Sequence, residues 1–349
     1  MPALWDMTDF DDHEGVHLFS DPKSRLSAVI AIHSTALGPA AGGVRFWHYS
    51  DKNAAITDAL RLSRGMSFKN AMAGLPMGGG KGVILASKDL KKTPELLAAF
   101  AKAVESLGGR YVTAQDVGMS EADMIALSHG TSYVSGLPPE NGGAGGDPGP
   151  STAYGVFLGV KAAIQYRLGA DTAKDVHIAI QGVGSVGAGL ARYLAKEGAK
   201  LTITDVNSER AKALAGEIGA ATVAPDQIMQ TNADVFSPNA LGAILNEDSI
   251  GKLKAGIIAG GANNQLATRT DGDRVLSRGL LYAPDYVINA GGIINVALEY
   301  LGQGDRVEVN SRIEQIPARL TRIWQESERC GLPASEVADA LAKKLIGRG

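Results

Sequence analysis

Lys69 and Lys81 stand on either side of a glycine-rich run in the segment 64–85, RGMSFKNAMAGLPMGGGKGVIL. An aspartate, Asp116, follows in 113–118 (TAQDVG), where a short apolar run ends. Two ammonium groups and a carboxylate can do proton chemistry if the fold gathers them. At a separation of about 6 Å and an effective dielectric near 20, two lysines repel by roughly 3 kcal/mol, or about 2 pKa units. Burial would lower the value further. One lysine would then work as a neutral base, while the other binds a carboxylate. Gly78, Gly79 and Gly80 are expected to clear side chains from beside Lys81 and open room for a small substrate. The apolar run after Lys81 should draw its stem inward. The competing reading is two solvated lysines, the ordinary fate of that residue.

A second constellation lies at 175–187, DVHIAIQGVGSVG. A predicted strand at 176–180 leads into Gly182-Val-Gly184-Ser185-Val186-Gly187 and then a helix at 188–197. Another strand at 200–204 ends in Asp205. In a dinucleotide fold, Gly182 makes the tight turn, Gly184 lets backbone approach a pyrophosphate, and Gly187 lets helix and strand approach closely. The helix start offers free N–H groups to phosphates. Asp205 lies where a carboxylate meets a ribose 2′-hydroxyl, which favours NAD over NADP, although Arg210 is near enough in sequence to turn toward a phosphate.

The elements that must position these groups alternate between short apolar runs and amphipathic helices, an α/β pattern. Strands are expected at 26–33, 82–86 and 111–114, with helices at 53–64 and 93–107, the latter with Pro94 in its first turn. The stretch 135–151 is crowded with proline and glycine and can sustain neither helix nor strand. It is read as the domain boundary and as a hinge, since the lysines and the fingerprint lie on opposite sides of it. Beyond it, 152–168 reads as a helix.

Composition narrows the function classes. The chain has 349 residues, a formal net charge of −3 and 44 glycines, nearly twice the usual ~7% glycine. The charge offers no footprint for nucleic acid. No apolar run approaches the ~20 residues that span a bilayer, and no leader-like segment opens the sequence, so a cytoplasmic protein with no membrane partner is expected. One cysteine, Cys330, excludes an internal disulfide. His13, His17, His33, His48, His129 and His177 show no metal-ligand spacing, so no metal is expected. Trp5, Trp47 and Trp324 read as core or interface residues, and Met66, Met72 and Met77 as gap-fillers.

Taken in order, these motifs resemble the Glu/Leu/Phe/Val amino-acid dehydrogenases over nearly the whole chain. The resemblance covers 42–46 (GGVRF), 69–81, 115–118 (QDVG), 150–155 (PSTAYG), the fingerprint, 237–242 (SPNALG), 262–265 (ANNQ) and 283–296 (APDYVINAGGIINV). It implies that Lys69 binds the substrate α-carboxylate, that Lys81 activates water, and that Asp116 exchanges protons with the amino nitrogen. Gly43 and Asn264 would help hold the substrate. Thr152, Gly182, Gly184, Ser185, Val186, Gly187, Asp205, Ala240 and Asn289 would hold NAD. The implied reaction is reversible oxidative deamination of an L-amino acid to a 2-oxo acid, ammonia and NADH.

Glutamate enzymes of that family carry a lysine where this chain has Ala41 and a serine where it has Val296. A wall of Ala41, Ala114, Ile293 and Val296 has no partner for a second carboxylate, whose unpaired burial costs several kcal/mol. Leucine-type members carry leucine at the Ala41 position, so the smaller alanine leaves room for an aromatic side chain. A leucine- or valine-type substrate is expected, with phenylalanine as the alternative and a catalytically silent NAD-binding sensor as the other class. The expected fold is an α/β substrate and oligomerisation domain at 1–140, then a doubly wound Rossmann NAD domain at 141–325, with a cleft between them. The C-terminal helices at 326–349 are expected to return to the first domain, and the protein to form a homo-oligomer.

Overall fold

Alternation of apolar and polar positions builds two sheets, and each anchors its own unit of the chain. The computed structural model describes residues 3–87, 89–138 and 144–349. One unit comprises Met1–Asp147, Ile293–Val309 and Ala342–Gly349, the other Pro148–Gly292 and Asn310–Leu341. The first passage between them falls inside the Pro/Gly stretch. Of that stretch, 139–143 lie outside the described residues, including Gly142 and Gly143 of the expected hinge.

The first unit opens with strands β1 (Gly15–Asp21), β2 (Leu26–Ser34) and β3 (Ala40–Trp47), followed by helix α1 (Lys52–Met72). Then come β4 (Gly78–Leu85), α2 (Pro94–Glu105), β5 (Tyr111–Gln115) and α3 (Glu121–Ser128). The sheet order is β1-β2-β4-β3-β5, antiparallel over the first three strands and parallel over the last three. Strands β1 and β3 were not among the sequence expectations. The glycines of β3 and the mixed polarity of β1 hide their two-residue period. Period two also gives the sheet two faces. Ile30, Ile32, Val44 and Ile84 meet Phe100, Tyr111 and Leu127 on one. Val29, Ala31 and Val83 meet Ala55, Ala59 and Leu60 of α1 on the other. Helix α1 starts where the Asp51 side chain accepts the Ala54 N–H. It runs past the expected end at residue 64 and so carries Lys69 in its last turn.

The second unit runs α4 (Gly149–Leu168), β6 (His177–Gln181), α5 (Ser185–Lys196), β7 (Lys200–Thr204), α6 (Ser208–Ile218) and β8 (Ala221–Thr222). It continues through β9 (Val235–Pro238), α7 (Glu247–Lys252), β10 (Ile257–Ile258), α8 (Thr270–Ser277), β11 (Leu281–Tyr282) and α9 (Asp285–Ile288). The closing helices are α10 (Gly291–Tyr300), α11 (Arg306–Ile313), α12 (Ile316–Cys330) and α13 (Ala334–Leu345). All six strands are parallel in the order β11-β10-β9-β6-β7-β8. Numbered within the unit, that is the doubly wound Rossmann order, whose direction reverses between β6 and β9.

The C-terminal segment divides differently from the expectation for 326–349. Residues 310–341 stay with the second unit, where Trp324 is buried and its indole N–H donates to the Tyr282 carbonyl at 2.8 Å. Only Ala342–Gly349 belongs to the first unit. There Arg348 donates to the backbone oxygens of Asp11, Asp12 and His33. Large apolar area on α12 and a guanidinium with three carbonyl partners set that division. Among the described residues no helix is long and apolar enough to cross a membrane.

Candidate active site

Three neighbouring strands bring the first set of predicted residues together. The register Ala41↔Gly79 and Val44↔Gly82 places Gly43 next to Lys81, and Gly43 pairs directly with Ala114. Side chains two apart share a face, so Ala41, Gly43 and Arg45 lie on the side of the sheet that carries Lys81 and Ala114. Asp116 follows β5 by one residue and ends beside Arg45. Its Oδ2 accepts from Lys81 Nζ at 2.8 Å and from Arg45 Nε at 2.9 Å. Among the described residues no hydrogen bond reaches Oδ1. Arg45 Nη1 also donates to Asp58 of α1 at 2.8 Å, and Tyr49 donates its hydroxyl to the same Asp58 oxygen at 2.6 Å.

Burial is the first cause of the Lys81 shift. The residue is 5% exposed, and loss of water lowers the ammonium below the usual lysine range although Asp116 pulls the other way. Arg45 is a cation that adds to the lowering, a contribution the spacing of the two lysines did not suggest. Burial alone would raise the Asp116 carboxyl, yet Lys81 and Arg45 together hold it below the usual carboxylate range. A lysine eased toward its amine and an ionised aspartate share one hydrogen bond. That is an acid–base pair.

The glycines before Lys81 serve packing, which corrects the expectation of an open substrate floor. A Cβ on Gly79 would lie 2.0 Å from the Ser67 backbone nitrogen, and one on Gly78 1.9 Å from the Ser34 carbonyl oxygen. One on Gly80 would meet the Tyr111 ring at 2.7 Å. The protein's own atoms fill that space and let α1 settle on β4. Asn70 completes the seat, donating to the Gly78 carbonyl at 2.6 Å and the Ala41 carbonyl at 3.4 Å. Lys69, next to Asn70 in the last turn of α1, is half-buried. Among the expected wall residues, Ala41, Ala114 and Val296 are buried, and Ile293 is half-buried. Val296 Cγ1 stands 3.9 Å from where a Gly136 Cβ would be. Just before it, Val134 bridges to Thr113, next to Ala114. From the same helix, Glu299 accepts the Gly136 N–H at 2.7 Å.

The second unit holds the fingerprint at the carboxyl ends of its strands. Gly182 turns with φ +87° and donates to the Thr204 carbonyl at 2.8 Å, a conformation that favours glycine. A Cβ on Gly187 would lie 2.0 Å from the Gly182 oxygen, whereas one on Gly184 would meet nothing within 4 Å. Gly184 is also the N-cap of α5 and gives no side-chain cap. Open space thus faces the N–H groups of Ser185, Val186 and Gly187 and the positive end of the helix, an arrangement that suits a phosphate. Asp205 accepts the Val183 N–H at 2.9 Å and the Asn207 N–H at 2.8 Å, with Arg210 3.8 Å away.

Ala240 is exposed after β9, and its Cβ limits Gly182 to glycine. Asn289 is 2% exposed and donates to the Gly261 carbonyl and to Asn263 Oδ1, while its own Oδ1 has no partner among the described residues. A buried acceptor left over is a place for a ligand N–H. Asn264 is exposed in this unit with φ +51°, and Thr152 donates to the Pro148 carbonyl at 2.8 Å. Turn, helix start, carboxylate and leftover acceptor together fit a dinucleotide.

Sequence reasoning passed over Arg45, Asp58, Val206 and Leu241. Val206 and Leu241 are 94% and 79% exposed where β7 and β9 end, and an apolar residue just after Asp205 or Ala240 was the readable signal. The histidines hold one surprise. Ser67 Oγ lies 2.8 Å from His33 Nδ1, and His33 Nε2 lies 3.3 Å from Asp11. Ser67 is fully buried beneath Gly79, so this row is part of the packing of α1. Among the described residues no three His, Cys, Asp or Glu side chains gather as a metal site would require.

A doubly wound unit with an anion-binding turn, joined in one chain to a sheet bearing a buried lysine paired with an aspartate, defines an amino-acid dehydrogenase. Residues 14–133 match the family profile of the Glu/Leu/Phe/Val dehydrogenase dimerisation domain, and 202–343 that of Glutamate/Leucine/Phenylalanine/Valine dehydrogenase. The leucine dehydrogenase of Bacillus subtilis is 46% identical over 337 residues, 97% of this chain and 92% of the relative. The valine dehydrogenase of Streptomyces coelicolor is 43% identical over 97% of this chain and 93% of its own. The crystal structure of L-tryptophan dehydrogenase from Nostoc punctiforme superposes with a TM-score of 0.85 at 39% identity, covering 96% of each chain. The chain belongs to the Glu/Leu/Phe/Val dehydrogenase family.

Proposed function

We propose that the protein catalyses the NAD-dependent, reversible oxidative deamination of an apolar L-amino acid of the leucine or valine type. The observation that carries this reading is the Lys81–Asp116 pair on the sheet face that also carries Ala41 and Ala114. It supplies a base and a proton carrier, and the expected side-chain wall of Ala41, Ala114, Ile293 and Val296 is uncharged. NAD, when bound, accepts the hydride from the substrate Cα. Lys69 pairs with the α-carboxylate, and Gly43 and Asn264 help hold the substrate. Lys81, as the amine, takes a proton from the water that attacks the imine carbon, and Asp116 carries protons to and from the departing nitrogen. In the second unit Gly182, Gly184, Gly187 and the start of α5 cradle the pyrophosphate, with Ser185 and Val186 in the first turn. Asp205 would accept from the adenosine ribose hydroxyls, with the exposed Val206 and Leu241 available to the adenosine. Thr152, Ala240 and Asn289 hold the remainder.

The aromatic reading has its own support. Ala41 and Ala114 are small, and a structural relative at 39% identity is named a tryptophan dehydrogenase. Homo-oligomerisation is part of the proposal, supported by the dimerisation profile over 14–133. A kcat/KM panel across leucine, valine, phenylalanine, tryptophan and glutamate with NAD tests the substrate class. Leucine and valine should lead and glutamate should be inert. Preferred turnover of glutamate, or no NADH from any apolar amino acid despite NAD binding, would sink the reading.

A further inference from the structure

Arg45 sits on the reactive face of the sheet without a part in the reaction above. Its guanidinium is clamped between two carboxylates, Nε on Asp116 Oδ2 at 2.9 Å and Nη1 on Asp58 Oδ2 at 2.8 Å. Asp58 is itself buried on α1, and it also takes the Tyr49 hydroxyl and, at 3.2 Å, Arg61 Nη2. Arginine stays charged at any working pH, whereas a buried lysine titrates readily. Asp116 Oδ2 therefore serves one permanent cation and one that comes and goes. Were Lys81 its only partner, deprotonating Lys81 would leave a half-buried carboxylate without a counter-charge, which loss of water disfavours.

We propose that Arg45 is a positioning residue, the fixed cation that keeps Asp116 ionised and its Oδ2 turned toward Lys81 while Lys81 alternates between ammonium and amine. Asp116 Oδ1 is then left for the substrate nitrogen. The inference rests on the roles given above to Lys81 and Asp116. The same positive charge also helps lower Lys81. The other groups on the face of the pair are Asp58 and Lys69 on α1 and Tyr49 after β3, while Tyr111 of β5 lies under the opposite face of the sheet. Burial pushes both phenols up, so they stay neutral.

The test is the pH profile of kcat/KM for leucine deamination in Arg45→Gln and Arg45→Lys, with thermal melts at each pH. Arg45→Gln keeps a donor and removes the charge. Its acid limb should move up by about one pH unit, with rates roughly tenfold lower on that limb and largely recovered in base. Arg45→Lys restores the charge without the planar fork, so its limb should stay near the parent position while kcat falls. A uniform loss in Arg45→Gln with an unmoved limb would mean a merely structural role and overturn the proposal. Should Arg45→Gln not fold, Arg45→Lys decides: a held limb with lowered kcat supports it, and a limb displaced by a full unit overturns it. Lys81→Met separates this inference from its premise. Full turnover there removes both, whereas an inactive Lys81→Met beside an unmoved Arg45→Gln limb removes only the role of Arg45.

Discussion

Lys81→Met isolates the chemistry of the buried amine from its bulk. Methionine fills the volume of the lysine stem, and Lys81 is 5% exposed, so the core there stays filled. Asp116 keeps Arg45 at 2.9 Å. Removing Lys81 therefore does not strand the half-buried carboxylate, and the penalty of about 3–5 kcal/mol for breaking a buried pair does not apply. The Tm should move by no more than about 4 °C, the shift that 1–2 kcal/mol causes in a chain of this size. Turnover should fall by about 10²–10⁴, the contribution of a general base, or about 3–5 kcal/mol of barrier. NAD affinity should be unchanged, since Gly182–Gly187 and Asp205 belong to the other unit. The assay is initial NADH formation with leucine, alongside NAD titration by fluorescence and a thermal melt. In the parent the rate should rise with pH through a limb below the ordinary lysine range, because burial lowers Lys81, and in the variant that limb should vanish. A folded Lys81→Met whose kcat stays within about threefold of the parent would refute the reasoning, since no general base contributes so little.

Asp205→Ala should weaken NAD by about ten- to a hundredfold, the worth of a charged hydrogen bond, and weaken NADP less because the repulsion of a 2′-phosphate is gone; equal losses in the two titrations would count against a ribose contact. Ala41→Leu should lower kcat/KM for phenylalanine relative to valine by about tenfold or more, in line with ~1–3 kcal/mol of steric discrimination, and an unchanged ratio would place Ala41 outside the pocket. His33, pushed down to about 3 first by burial and then by Arg348, binds fewer protons folded than unfolded. Stability should therefore fall as pH drops from about 6.5 toward 3, by up to about 1.4 kcal/mol per unit. Denaturant melts across that range should show the loss, and His33→Gln should flatten it.

What the sequence determined by itself is local or ordered along the chain. The turn at Gly182, the helix start at Ser185 and the aspartate closing the next strand are contiguous, so strand, glycine turn and helix propensity make them readable without a fold. The order of motifs also identified the family, and residue type singled out Lys69, Lys81 and Asp116. What only the tertiary structure decided is which groups meet. Arg45 and Asp116 are 71 residues apart and Lys81 and Asp116 are 35 apart. They touch because the register of β3, β4 and β5, strands separated by helices in the chain, aligns them on one face. Burial then turned a residue that is ordinarily a solvated cation into a candidate base, and a second cation, Arg45, unsuspected from spacing, joined its aspartate. The run Gly78–Gly80 shows the same divide. Sequence shows that side chains are missing, but only the seat of Ser67 and Tyr111 against that strand shows that the protein's own atoms occupy the space. Local pattern fixes where the backbone bends, whereas register and close packing decide what fills the room it leaves.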